Sequence, residues 1–279
     1  MTLRLIRDRF DKRLNRTPIP SDLDEVISID PKEVSPEQVG LDQRAIDAIW
    51  EDTLSLYRSG MHPMLSLCIR RGGQVLINRS VGYQRGDAES ADAVIGDLNT
   101  PICLFSASKA ISAMLIHLLA EQGKVHLMDP LSYYIPEFAT NGKGYITIYQ
   151  LLAHRAGVPG LGEDVDPAVL FDREEAVARI CAADPIDHLG RTSAYHAITG
   201  GFLIDELIRR TTGTTVQQFL DRHIRKPMGM RYFRYGLTKR DLDRAAENRF
   251  TGLEPGKLVG ATLKNVLGLD YMAVMELTN

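Results

Sequence analysis

The sequence predicts an α/β protein in which strands come first and a long helical stretch follows. Two observations carry this. Met64–Ile69 and Gln74–Val81 are apolar, β-prone runs flanking Arg70-Arg71-Gly72-Gly73, which reads as a β-hairpin with its tight turn. Ala107–Gln122 is apolar on nearly every side, through Ile111, Met114, Leu115, Ile116, Leu118 and Leu119. A helix of that kind belongs at the centre of a fold.

The remaining elements follow in order. Leu3, Ile6, Phe10 and Leu14 fall near helical spacing, with Arg4, Arg7, Arg9, Lys12 and Arg13 between them. Met1–Leu14 therefore reads as a solvated helix docked on the body, with a weak membrane-surface helix as the alternative. Its scattered charges leave no apolar core for an export signal. Thr17–Asp30 carries two prolines and several acids and reads as a linker. Residues 1–33 are thus set apart as N-terminal helix and linker, and residues 34–279 as the main domain. Ile46, Ile49, Trp50, Leu54 and Tyr57 predict a helix over Leu41–Ser59. Gly123 follows the apolar helix at a plausible C′ position. Ile146–Ala153 and Ile198–Arg210 read as helices, the second closed by Gly213, and Val216–Arg225 as another, stopped by Pro227. Residues 240–279 carry a moderate helix pattern over Leu258–Leu277 and no clear strand.

Composition narrows the function. The chain has 279 residues, room for two domains or one large domain with two lobes. Charged residues are 25% and hydrophobic ones 44%, an ordinary globular balance. The net charge of −3 lacks the basic excess of a nucleic-acid binder. The longest mostly apolar run, Ala110–Ala120, contains His117 and is too short to cross a bilayer. Cys68, Cys103 and Cys181 form no CxxC pair, and their odd number argues against a disulfide framework. A reducing compartment, the cytoplasm, is the expected location. The three thiols read as small buried hydrophobes.

Familiar site patterns are absent. The sequence has no GxGxxG, GxxxxGK[ST], HExxH or GxSxG, and its seven histidines show no ligand spacing. No metal or organic cofactor is implied. One pattern stands out: Phe105-Ser106-Ala107-Ser108-Lys109 contains Ser-x-x-Lys and opens the apolar helix. A serine hydroxyl is a poor nucleophile without a base beside it. Residues three apart share a helix face, so Lys109 would sit one turn above Ser106. Apolar surroundings favour a neutral amine, and the helix N-terminus offers backbone N–H groups to a developing oxyanion. By itself Ser-x-x-Lys is a weak signal, and Ser106 serves equally well as an N-cap.

Its surroundings are more specific. Thr100–Phe138 reads TPICLFSASKAISAMLIHLLAEQGKVHLMDPLSYYIPEF, Ile146–Gly157 reads ITIYQLLAHRAG, Gly190–Gly200 reads GRTSAYHAITG, and Gly213–Met230 ends in RKPMGM. Together these resemble the serine β-lactamase and penicillin-binding-protein-like superfamily, closest to its class C-like esterases, the family VIII carboxylesterases. The resemblance covers roughly residues 34–235, in order. It implies that Ser106 is the acylated serine, Lys109 the motif lysine and Tyr195 the second-motif tyrosine, which shares proton transfer with the lysine. A nearby cation favours a tyrosine phenolate, so the grouping is chemically coherent. The alternative for Tyr195 is an ordinary buried aromatic. His154, in LLAHRAG, reads as part of a structural helix end and turn. His196 points elsewhere on a helix, and Ser108 lies off the face of Ser106.

Two departures bear on activity. Ala197 stands where many β-lactamases place asparagine, whose amide can bond a substrate amide or the lysine. The family's third motif, Lys-Thr-Gly or His-x-Gly on a late strand, is missing: Thr212-Gly213 and Thr251-Gly252 both lack the preceding cation. The resemblance therefore implies an α/β, β-lactamase-like body with an antiparallel sheet and a helical lobe over roughly 111–230, its C-terminal strands absent and the domain truncated. It implies hydrolysis of a small carboxylic ester through an acyl-enzyme on Ser106. The alternatives are β-lactamase or D-alanyl peptidase activity, and a truncated non-catalytic relative.

Overall fold

The computed structural model describes residues 14–162 and 165–253. The helices expected over Met1–Leu14 and Leu258–Leu277 lie outside the described residues, apart from Leu14, which is in a strand. The described chain divides into two compact units, residues 14–103 with 238–253, and residues 104–237. The expected α/β class holds, and the helical lobe, expected over 111–230, occupies 104–237.

The first unit contains β1 (Leu14–Asn15), β2 (Ile27–Ile29), α1 (Gln43–Arg58), β3 (Met64–Arg71), β4 (Gln74–Arg85), β5 (Val94–Ile95) and β6 (Gly252–Leu253). Strands β2, β4 and β3 lie side by side in that order, all antiparallel, and β5 pairs the far end of β4. The hairpin is as expected. Arg71 pairs with Gln74, and Gly72 and Gly73 have φ of 55° and 81°. Two successive left-handed residues make the turn whose twist matches paired strands. On the buried face Val81 packs with Val26, Leu54 and Tyr57, so α1 lies against the sheet.

Two expectations need correction. The stretch read as a linker is part of the sheet: Ile27, Ser28 and Ile29 pair with Val81, Ser80 and Arg79, and Val26 is buried. Its prolines and acids occupy the flanks, while the short Ile-Ser-Ile run supplies the pairing. Arg79 then bonds Glu33 through two nitrogens, the closest at 2.7 Å, with its guanidinium 5.2 Å from the Trp50 ring centroid. Residues 240–253 do contain a strand: β6 pairs with β1, Gly252 opposite Asn15. A two-residue strand has no period to read, so sequence pattern could not reveal it.

The second unit contains α2 (Ser108–Glu121), α3 (Leu131–Tyr134), α4 (Ile148–Leu152), α5 (Arg173–Ala182), α6 (Thr199–Thr212) and α7 (Val216–Leu220). Helices α4 and α7 open with capping boxes, Thr147 with Gln150 and Thr215 with Gln218. Gly123 and Gly213 close α2 and α6 in left-handed conformation, as expected. The chain stays helical after α7 as a π-turn over Asp221–Arg225, ending before Pro227. One core joins α2 (Leu115, Ile116, Leu119) to α6 (Leu203, Leu207, Ile208), α4 (Ile148, Leu151) and α5 (Ala176, Ile180). The expectation that α2 is buried all round is corrected. Its buried residues are Ser112, Leu115, Ile116 and Leu119, a single i, i+3, i+4, i+7 stripe, while Met114 is 42% exposed.

Gly82 sets how closely α1 and the β3 entry approach β4. Its φ is 111°, and a Cβ there would come within 2.3 Å of the Pro63 carbonyl and 2.7 Å of the Tyr57 ring. Gly82→Ala should therefore cost about 1–3 kcal/mol or more, since backbone strain and a clash with main chain combine. Urea unfolding of the two proteins measures this, and an unchanged midpoint would contradict the packing described.

Candidate active site

Ser106 lies on a 3₁₀ turn, Phe105–Ala107, that runs directly into α2. The turn is sharp. Phe105 has φ of 43°, a left-handed conformation that a bulky aromatic seldom adopts. Ser108 Oγ donates to the Phe105 carbonyl at 2.6 Å and braces the turn. The N-cap of α2 is Ala107, and no side chain caps it, so the N-cap alternative for Ser106 is not taken up.

The hydroxyl of Ser106 is engaged elsewhere. Tyr195 Oη donates a hydrogen bond to Ser106 Oγ at 2.6 Å. Lys109, in the first turn of α2, directs Nζ to the Ala197 carbonyl oxygen at 2.6 Å and lies 5.1 Å from the Tyr195 ring centroid. The three residues singled out from sequence, Ser106, Lys109 and Tyr195, are thus brought together within the helical unit. Ser106 is exposed and Tyr195 is 41% exposed, so a small molecule can reach the hydroxyl pair. Tyr195 is not the buried aromatic of the alternative reading.

The histidines differ from expectation. His196 is on no helix; it lies on the irregular segment before α6 and is fully buried. Its Nε2 accepts the Val158 N–H at 3.1 Å, and its Nδ1 lies 2.6 Å from the Ala194 carbonyl. Nδ1 therefore carries the proton and Nε2 the lone pair. Burial pushes the His196 imidazole down to about 4, opposed by the bond to Ala194 and aided by His154. His154 does close a helix, as expected: its N–H bonds the Leu151 carbonyl and the next N–H, of Arg155, bonds Gln150. It occupies the left-handed C′ place, with φ of 58°. Sequence did not show that its ring meets Tyr195 edge-on, centroids 4.8 Å apart. The two residues are 41 positions apart and only the tertiary fold joins them. Burial, then the neighbouring Lys109 charge, holds the His154 imidazole below the usual histidine range.

The cysteine expectation holds for Cys181 alone; Cys68 and Cys103 are exposed, and all three are free thiols. Among the described residues, no group of three or more histidines, cysteines and acids could hold a metal ion, and no helix is long and apolar enough to cross a membrane.

Known proteins share this arrangement of sequence and fold. The family described as Beta-lactamase matches residues 44–262. The chain is 33% identical over 148 residues to "Esterase/beta-lactamase LipL" of Mycobacterium tuberculosis, covering 53% of this chain and 34% of that protein. The crystal structure of a family VIII carboxylesterase superposes with a TM-score of 0.68 at 26% identity, covering 79% of this chain and 57% of the other. A penicillin-binding-protein homologue from Caulobacter crescentus superposes with a TM-score of 0.65 at 28% identity, covering 75% and 55%. The chain spans about a third of that curated relative and somewhat over half of each solved chain.

Burial of His196 makes stability depend on pH. The unfolded chain binds a proton near pH 6.5 that the folded chain refuses until about 4, so stability rises with pH across that window and is complete above it. On going from pH 7 to pH 5 the native protein should lose about 2 kcal/mol relative to His196→Gln, whose amide oxygen can take the Val158 N–H. Urea unfolding at the two pH values tests this, and equal losses in both proteins would exclude His196 as the titrating group.

Proposed function

The chain belongs to the beta-lactamase family, and on that premise we propose that it hydrolyses small carboxylic esters through an acyl-enzyme on Ser106. The observation that carries the reading is the 2.6 Å hydrogen bond between Tyr195 Oη and Ser106 Oγ, with Lys109 Nζ 5.1 Å from the tyrosine ring. Similarity to an esterase and to a carboxylesterase structure supports the substrate class. Since the chain spans only part of those relatives, their activity is carried over as part of this proposal.

In this reading Ser106 Oγ bonds to the acyl carbon while its proton moves to Tyr195 Oη. The group that takes this proton is the Tyr195 phenolate, which the Lys109 ammonium favours because an opposite charge nearby favours the charged form, and the transfer leaves it a neutral phenol. The ester C–O bond then breaks and the alcohol leaves with the proton held at Tyr195. A water repeats the sequence: its oxygen bonds to the acyl carbon, its proton passes to Tyr195, and the carboxylic acid leaves as Ser106 Oγ regains a proton.

Lactam or D-alanyl peptide hydrolysis is the second reading, and Ala197 disfavours it. Position 197 gives Lys109 a main-chain oxygen, while its methyl offers no amide to a substrate. The proposal includes a cytoplasmic location, which the three free thiols support.

A fluorophosphonate probe needs an activated serine and little else. It should leave an adduct on Ser106, located by peptide mapping. The adduct should be abolished in Ser106→Ala and formed at least about 100-fold more slowly in Lys109→Ala and Tyr195→Phe, the lower end of what a proton-transfer group contributes. Short-chain nitrophenyl esters should turn over where nitrocefin does not. A folded protein that takes no label is a non-catalytic relative, and turnover of nitrocefin in preference to esters would make the second reading correct.

A further inference from the structure

The chemistry proposed above makes no use of His154, yet this residue meets the segment around Tyr195 in three ways. Its main-chain oxygen accepts the Ala194 N–H at 3.0 Å. Its Nδ1 accepts the His196 N–H at 3.2 Å. Its ring stands edge-on to the Tyr195 ring at 4.8 Å between centroids. The residues before and after Tyr195 are therefore both fastened to one side chain and its carbonyl.

We propose that His154 is a positioning residue that clamps the backbone on both sides of Tyr195 and so holds its hydroxyl on Ser106. The proposal rests on the reading of Ser106 as the acylated serine. The need for such a clamp follows from the geometry. Tyr195 lies outside any helix or strand and is 41% exposed, so packing restrains little of its ring. Its Oη must nonetheless stay within hydrogen-bond reach of Ser106, and a displacement of about 1 Å at such a group costs about 100-fold in rate.

The identity of residue 154 answers this need and not the needs of the turn. At φ of 58° a glycine would sit there without strain and would close α4 equally well. Glycine has no Nδ1. Histidine is among the few residues enriched in the left-handed region, and it brings the acceptor. Asparagine shares both properties, since its Oδ1 falls where histidine has Nδ1.

An imidazole nitrogen accepts a hydrogen bond only while it is unprotonated. The titratable groups facing His154 are Lys109 from α2 and Tyr195 and His196 from the clamped segment. Burial and the Lys109 charge favour the neutral ring, and His196 is neutral down to about pH 4. The clamp is thus closed at neutral pH and opens as the pH falls below the ordinary histidine range.

The test compares His154→Gly, His154→Asn and the native chain. Two quantities are read: the rate of fluorophosphonate labelling from pH 4.5 to 8 (about the range in which a histidine titrates) and hydrogen exchange at the His196 amide. Thermal melting of each variant checks folding. H154G should label about 100-fold more slowly at neutral pH and lose protection at His196, while Ala194, bonded to the main chain of residue 154, keeps its own. H154N should recover most of the rate and the protection, and should lose the acid limb of the native profile. Native-rate labelling by H154G, or an H154N that is folded and as slow as H154G, would overturn the proposal. If H154G does not fold, the acid limb decides: its persistence in H154N overturns the clamp. If the native chain takes no label, the acylation reading fails by itself. Exchange at His196 then settles the clamp, which stands if protection is lost in H154G and regained in H154N, and falls otherwise.

Discussion

A half-buried ammonium needs acceptors, and the way Lys109 finds one organises the whole site. Its Nζ reaches the carbonyl of Ala197 on a segment 88 residues later in the chain. A charge-assisted bond of this kind, partly withdrawn from water, is among the stronger polar interactions a protein makes. It ties the first turn of α2 to the stretch that precedes α6. That stretch carries Tyr195, so the bond that satisfies the lysine also delivers the tyrosine hydroxyl to Ser106. The Lys109–Ala197 bond and the Tyr195–Ser106 hydrogen bond together join the Ser106 turn to the Tyr195 segment at the site.

The segment is held from its other side by a second set of constraints. His196 is buried with its Nε2 on the Val158 N–H, and Thr199 Oγ1 donates to the Val158 carbonyl at 2.7 Å. Both polar groups of one residue in the loop after α4 are thereby used to position the start of α6. The buried histidine must remain neutral to do this, and burial ensures that it does. Beneath these contacts lies the apolar core shared by α2, α4, α5 and α6. Its side chains are non-directional in their attraction. They place the helices, and the polar bonds above them set the last ångström at the hydroxyl pair.

Strain collects at the same place. Among the described non-glycine residues, Phe105, Asn141 and His154 have positive φ. Phe105 precedes Ser106, and His154 touches Tyr195. Each sits in a conformation that costs free energy and persists because its surroundings over-determine it. At Phe105 the brace is the Ser108 hydroxyl; at His154 it is the helix closure of α4 together with the bonds to residues 194 and 196. Two of the three described left-handed non-glycine positions therefore flank the hydrogen-bonded Ser106–Tyr195 pair.

Local rules made much of this protein legible. The hairpin followed from two β-prone runs around Gly72-Gly73, and the helices from period, terminal glycines and Pro227, because these signals act between residues a few positions apart. Ser106 and Lys109 were visible together for the same reason, three positions apart at a helix start. Tyr195 was visible only through resemblance to a family. The strand at Ile27–Ile29, the exposed side of α2 and the contact between His154 and Tyr195 were not visible at all. Each depends on which surface lies opposite after folding: β4 for the strand, one core face for a helix whose composition showed no preferred side, and a loop 41 residues away for the histidine. Sequence by itself determined the hairpin, the principal helices and the spacing of Ser106 and Lys109, since short-range sterics and hydrogen bonds specify those. The tertiary structure alone decided which side chains converge, because burial and long-range pairing are properties of neighbours that the linear order does not name.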